Sequence, residues 1–116
     1  MHEMALMGDI LELIRTDAKE KNIKKVDNVE IVVGELSNAL PDALELAFDA
    51  FKAQNLAFLN NDAKLSIIFE EAKAECVICG KEYKPEYKIA VCPECNFPSG
   101  KLISGETFKV KSYNGK

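Results

Sequence analysis

All four cysteines of this 116-residue chain fall in two tight pairs, Cys76-Val77-Ile78-Cys79 and Cys92-Pro93-Glu94-Cys95, with twelve residues between the pairs. Nothing else in the sequence restricts the fold as strongly. Two residues between cysteines let both sulfurs of a pair face one ion from a single turn, and zinc in structural sites prefers a tetrahedron of thiolates. Gly80 and Asn96 follow the pairs, and both residue types tolerate the left-handed backbone that closes such a turn. The spacing predicts one closed four-thiolate site on a hairpin. Iron uses the same donor set, so spacing alone leaves zinc and iron open, with zinc favoured. Two disulfides are the competing use of the cysteines. The N-terminus shows no basic segment followed by an apolar one, so no export signal is read and disulfides are disfavoured. A closed thiolate cage leaves no open coordination position, so its metal is expected to fold the segment and not to catalyse.

Charge weighs against one large class of cysteine-rich modules. Nucleic-acid binders need a basic footprint to displace counterions. Here the formal net charge is −4, and four thiolates around a dication would make it two charges more negative. Lys81, Lys84, Lys88 and Lys101 surround the metal loop, but Glu75, Glu82, Glu86 and Glu94 interleave with them. A solvated mixed-sign surface is expected there, with no nucleic acid bound. No run of sequence approaches the ~20 apolar residues of a membrane span, so the expectation is a soluble cytoplasmic protein without membrane contact. His2 is the only histidine. No Ser/His/Asp set is therefore possible, no phosphate loop is present, and the chain is not expected to be an enzyme.

Periodicity supplies the rest of the architecture. Met4, Met7, Ile10, Leu11, Ile14 and Ala18 recur at helical steps, with Leu6 and Leu13 widening the stripe, which predicts an amphipathic helix from Met4 to about Lys21 with Asn22 as its stop. Val29 to Leu36 alternates as a strand, loosened at its end by Gly34-Glu35. Pro41 suits a first helical position, and Asp42 and Glu45 favour the positive helix start. That second helix is expected to reach about Gln54, burying Leu44, Ala47, Phe48 and Phe51. Asn60-Asn61-Asp62 reads as a turn. Leu65 to Glu71 reads as a strand with Leu65, Ile67 and Phe69 on one side, and Tyr83 and Tyr87 are expected to pack over the metal hairpin. A last strand covers 106–112.

The fold class expected is α+β: a small three-stranded mixed sheet covered by two helices, with an inserted zinc-ribbon-like four-cysteine module. A right-handed crossover would make the first two strands parallel. Residues 1–74, completed by strand 106–112, would form the α/β domain, and 75–104 the metal module.

The chain begins Met1-His2-Glu3. His2 is too bulky a neighbour for ordinary removal of the initiator, so Met1 is expected to remain. The Met1 amine, the His2 amide nitrogen and the His2 imidazole can close fused chelate rings, and nitrogen donors in a plane suit nickel(II) or copper(II). Glu3 offers a backbone nitrogen or a carboxylate. Read alone, however, a single terminal histidine is usually just a solvated side chain, and Glu3 is as easily an acid complementing the helix dipole.

Three stretches together change that balance. They are Met1-His2-Glu3 running into an amphipathic helix, Val33-Gly34-Glu35-Leu36-Ser37 followed by Pro41, and Cys76-x-x-Cys79 with Cys92-Pro93-x-Cys95 before a closing strand. In that order and over essentially its whole length, the chain resembles the HypA/HybF family of hydrogenase maturation proteins. The resemblance implies a nickel metallochaperone that binds Ni(II) at its N-terminus and delivers it to the large subunit precursor of [NiFe] hydrogenase. It implies the GTPase HypB as partner and source of GTP hydrolysis, urease maturation proteins as further partners in some bacteria, and room for a homodimer. His2 becomes the side-chain nickel ligand, with Glu3 and the Met1 amine contributing; Cys76, Cys79, Cys92 and Cys95 become zinc ligands. Some members carry a histidine just past the last cysteine. Here the segment is Asn96-Phe97-Pro98-Ser99, which places the nickel burden on the N-terminus. The loop Ser37 to Asp42 is expected to lie near that terminus and tune it. The alternative is a zinc-ribbon interaction module, binding protein or nucleic acid, without nickel cargo.

Overall fold

The computed structural model describes residues 2–85 and 91–116. Along the chain the described elements are α1 (His2–Glu20), β1 (Val26–Gly34), α2 (Pro41–Lys52), β2 (Leu59–Glu70), β3 (Lys73–Cys76), β4 (Glu82–Tyr83), β5 (Gly100–Ser104) and β6 (Phe108–Gly115). They form two sheets of three strands, ordered β2-β1-β6 and β4-β3-β5. The chain divides into two compact units. One comprises Met1–Val32, Ala39–Ile68 and Lys109–Lys116; the other comprises Val33–Asn38 and Phe69–Phe108. No helix among the described residues is long and apolar enough to cross a membrane.

The first unit is the helix-covered sheet that periodicity predicts. Met7, Ile10, Leu11, Ile14 and Ala18 of α1 are buried, as are Leu44, Ala47 and Phe48 of α2. Val26, Val29 and Ile31 are fully buried beneath them. Each large side chain buried this way contributes roughly 1.5–3 kcal/mol. Val26 N–H donates to the Phe58 carbonyl (2.8 Å), and further along Glu35 N–H donates to that of Glu70 (2.8 Å), so β1 and β2 run parallel. Lys116 N–H donates to the Lys25 carbonyl (2.8 Å) and Gly34 N–H to that of Thr107 (2.6 Å), so β6 runs antiparallel to β1. The sheet is thus mixed. Asn22, at φ 60°, ends α1 in the left-handed conformation. Pro41 opens α2 as its first residue.

Several boundaries and faces differ from the sequence reading. Helix α1 starts at His2, not Met4. Leu13 does not widen the buried stripe; it is 67% exposed. Strand β1 starts at Val26 rather than Val29, and α2 stops at Lys52 rather than Gln54. Asn60-Asn61-Asp62 is strand, not turn: β2 begins at Leu59. Buried Leu59 and Ala63 bracket the polar triplet. Asn60 Nδ2 donates to Asp27 Oδ1 (2.8 Å) and Asp62 N–H donates to Asn60 Oδ1 (3.1 Å). The side chains that favour turns here satisfy a strand edge. Phe69, at 53% exposure, does not join Leu65 and Ile67 in packing. Strand β6 continues to Gly115, past the expected residue 112.

In the second unit the metal segment is more than a hairpin. Strand β3 pairs antiparallel with β4 (Ala74 opposite Tyr83) and with β5 (Cys76 opposite Gly100). Gly34-Glu35 does not loosen the end of β1 but seats it. A Cβ on Gly34 would lie 2.2 Å from the Gly105 carbonyl oxygen, so only glycine fits that close approach. Leu36 N–H donates to the Gly105 carbonyl (2.7 Å). Glu35 Oε1 accepts Ala72 N–H (3.0 Å), and Oε2 pairs with Lys84 Nζ (3.1 Å).

Candidate metal centre

Each cysteine pair forms a knuckle, and the two knuckles repeat the same bonds. Gly80 N–H donates to the Cys76 carbonyl (2.9 Å), and Asn96 N–H to the Cys92 carbonyl (2.8 Å). Cys76 N–H donates to the Lys81 carbonyl (2.9 Å), and Cys92 N–H to that of Phe97 (3.0 Å). Gly80 (φ 76°) and Asn96 (φ 56°) take the left-handed conformation that closing such turns requires. Inside each turn, backbone N–H groups point at sulfur. Ile78 and Cys79 donate to Cys76 Sγ, and Cys95 donates to Cys92 Sγ, all at 3.4 Å. Donors fixed on sulfur favour thiolate over thiol. An exposed Lys81–Glu94 ion pair (3.2 Å) links the knuckles.

The four sulfurs lie within 4.8 Å of one another. Cys76 Sγ is 3.9 Å from Cys95 Sγ, and Cys79 Sγ is 3.7 Å from Cys92 Sγ. None is in a disulfide. Zinc–sulfur bonds of about 2.3 Å in a tetrahedron set sulfur–sulfur edges of about 3.8 Å. The cluster therefore fits a structural zinc site. Cys76 and Cys92 are buried, Cys95 is half-buried and Cys79 is exposed.

Protons are distributed unevenly over the thiols. The Ser99 hydroxyl, 3.1 Å from Cys76 Sγ, and then the Cys79 and Ile78 amides hold the Cys76 thiol down to about 6. Burial, followed by bonds from the neighbouring sulfurs, pushes Cys95 up to about 12. Metal binding takes all four as thiolates, the form that the donors around Cys76 favour. Tyr83 contributes a buried hydroxyl with no hydrogen-bond partner among the described residues. Its pKa is raised by burial first and by the adjacent cysteines second, so the ring stays neutral beside the cage. Its expected companion Tyr87 lies outside the described residues. Ser99 and the Glu35–Lys84 pair carried no spacing signal; both become visible only once the strands are paired.

The N-terminal residues belong to the other unit. His2 is exposed and opens α1. The first four N–H groups of a helix have no acceptor inside it, so the amide nitrogens of His2 and Glu3 stand outside the helical ladder. Glu3 does not hang free. Its Oε2 accepts the Leu40 N–H at 3.2 Å, at the residue preceding Pro41 of α2. Its own backbone N–H, then that of Leu40, then His2 hold the Glu3 carboxyl below the usual carboxylate range. Leu40, at the end of the loop before α2, thus meets the first turn of α1. Met1, the third expected nickel donor, lies outside the described residues.

Comparison with known proteins adds a third line. Residues 1–115 match the family described as "Hydrogenase/urease nickel incorporation, metallochaperone, hypA". The chain is 34% identical over 116 residues to the hydrogenase maturation factor HypA of Moorella thermoacetica, covering 100% of both. It is 37% identical over 112 residues to that of Aquifex aeolicus, covering 97% of this chain and 95% of the relative. Among solved structures it resembles the solution structure of a HypA protein, with a TM-score of 0.69, 26% identity, and 100% of this chain and 97% of that one covered.

Proposed function

We propose a division of labour within this chain, which belongs to the HypA family of hydrogenase/urease nickel-incorporation metallochaperones: the N-terminal tip carries nickel as cargo, and the cysteine cage keeps zinc as structure. Cys76, Cys79, Cys92 and Cys95 hold the zinc. Bound there, it supplies a rigid cross-link and no reactive position, since four thiolates fill its tetrahedron. His2 supplies the imidazole for nickel, and the Met1 amine and Glu3 complete a small set of donors. The N-terminal tip belongs to the unit of Met1–Val32, Ala39–Ile68 and Lys109–Lys116 and the four cysteines to the unit of Val33–Asn38 and Phe69–Phe108, so on this reading the nickel-binding and zinc-binding domains take those bounds in place of the expected 1–74 with 106–112 and 75–104.

The observation that carries this reading is the exposed His2 at the open end of α1. Its neighbouring amide nitrogens are free of the helical ladder, in a chain matched over residues 1–115 by a nickel-handling family. A carrier must release what it binds. A closed cage of four thiolates exchanges its ion slowly, whereas a surface tip with one imidazole can be reached by a recipient. The alternative of a zinc module without nickel cargo is not favoured, because the family match includes the N-terminal tip.

The recipient on this reading is the large subunit precursor of [NiFe] hydrogenase, with the urease maturation proteins as a second route. The chain itself does not catalyse. The GTPase HypB supplies hydrolysis, delivery takes place in the cytoplasm, and a homodimer is compatible with the handover. The test is a nickel titration of the untagged protein beside His2→Ala, with elemental analysis of both metals. Nickel binding lost in the variant with zinc retained supports the proposal; equal nickel affinity and stoichiometry in both sinks it.

A further inference from the structure

We infer that the Glu3 carboxylate is a positioning group, not a nickel ligand: it pins the start of α2 to the first turn of α1 and thereby sets the tip that carries His2. The inference rests on the nickel-carrier reading above and assigns one residue within it.

The argument starts from the bond itself. Glu3 lies in the first turn of α1, and its Oε2 accepts the Leu40 N–H at 3.2 Å. Leu40 is the residue just before the first turn of α2, extended at φ −95° and ψ 120°, and no side chain of its own segment caps that helix. Among the described residues, this carboxylate is the acceptor given to the Leu40 N–H. It joins positions 37 residues apart in sequence, so it fixes how two helix starts approach each other. Both ends are also positive by the helix dipole. A carboxylate between them is favourable, with Oε2 committed to the Leu40 donor and the Glu3 backbone N–H also bonded to the carboxyl.

His2 is adjacent to the strut. Its backbone is held where α1 begins, while its imidazole remains exposed. Glu3 can still offer nickel its amide nitrogen, which the helix does not use. The carboxylate then acts through geometry: it narrows the orientations of the tip, so less ordering is needed when donors converge on one ion.

Three variants separate a strut from a ligand. Glu3→Gln keeps an acceptor for the Leu40 N–H but removes the carboxylate. Glu3→Ala removes both. Leu40→Pro removes the N–H and leaves every candidate nickel donor in place. The strut predicts that Glu3→Gln retains nickel affinity within about threefold, while Glu3→Ala and Leu40→Pro each lose about tenfold, the order expected when a charge-assisted bond is broken. Zinc content reports whether the second unit has survived.

A measurement on the wild-type protein needs no variant. Hydrogen exchange at the Leu40 amide should be equally slow with and without nickel, and faster in Glu3→Ala. Wild-type nickel affinity in Leu40→Pro, or a Leu40 amide released when nickel binds, overturns the inference. Failure of the carrier reading itself looks different: wild type and His2→Ala would then bind nickel alike, whatever the Leu40 amide does.

Discussion

The cysteine cage and the N-terminal tip of this molecule are built on opposite rules. The cage gathers four sulfurs from two knuckles, buries Cys76 and Cys92, and surrounds them with fixed N–H donors. The tip has one exposed imidazole and a carboxylate already committed to Leu40. On the reading proposed above, the ion in the cage cross-links two knuckles, whereas at the tip it is taken up on a helix end already tied to Leu40. The difference teaches where retention and release come from. Retention needs many donors held by buried backbone, and release needs few donors on an end that another protein can reach.

The contrast can be broken most directly at the cage. Cys92→Ala, or chelation of the wild type, is expected to unfold the second unit. Structural zinc binding supplies on the order of 10 kcal/mol of apparent folding free energy in small metal domains. Loss of amide dispersion across residues 69–108 in a nitrogen–proton spectrum would register it. Should those resonances stay dispersed without zinc, the cage is not structural.

At the tip, His2→Ala should lower nickel affinity roughly a hundredfold, equivalent to about 2.7 kcal/mol. It should leave the melting temperature and zinc content unchanged. A variant that loses stability together with nickel would erase the distinction, because the tip would then be part of the fold.

Gly34→Ala tests whether the second unit is held as tightly by backbone contact as by metal. The added Cβ would meet the Gly105 carbonyl at 2.2 Å, and overpacking of that kind costs about 1–3 kcal/mol. Calorimetry of the zinc-loaded protein should show a lowered melting temperature with nickel affinity unmoved. Ser99→Ala sharpens the comparison more gently. Without the hydroxyl the Cys76 thiol should titrate above its present value of about 6. Zinc affinity should fall by roughly tenfold, as for other outer partners of metal ligands, which a competition titration with a chelator can read.

The smallest effect is a pH dependence. The Glu35 carboxyl is held below the usual carboxylate range first by the Ala72 N–H and then by Lys84. Its folded pKa is lower than its unfolded one. The stabilisation is therefore complete above the ordinary carboxylate pKa and disappears as pH falls through the folded value. Glu35→Gln should narrow the difference in stability between neutral pH and acid well below about pH 4. A wild-type and a variant curve that run parallel across that window would exclude the contribution.

What the sequence disclosed follows from the kind of information each region carries. The cage was legible because ligand spacing, Gly80 and Asn96 are all local: one turn decides them. The buried faces of α1 and β1 were legible because burial along one element leaves a period. Bonds that join distant segments leave no such mark. Asn60-Asn61-Asp62 reads as a turn until Asp27 on the neighbouring strand takes up Asn60. Gly34-Glu35 reads as a weak strand end until Gly105, Ala72 and Lys84 close on it. Leu13 looks apolar enough for the core, but the core ends before it reaches that face. At the tip, residue types suggested a nickel donor set, while the engagement of Glu3 by a backbone donor 37 residues away could come only from the folded chain.

The zinc-bearing unit draws on two separated stretches, Val33–Asn38 and Phe69–Phe108. Excising the later stretch for transplantation into another host would sever it from the glycine turn that its own Gly105 encloses. A graft intended to keep its native stability would have to import that upstream hexapeptide as well, or supply a substitute wedge in its place.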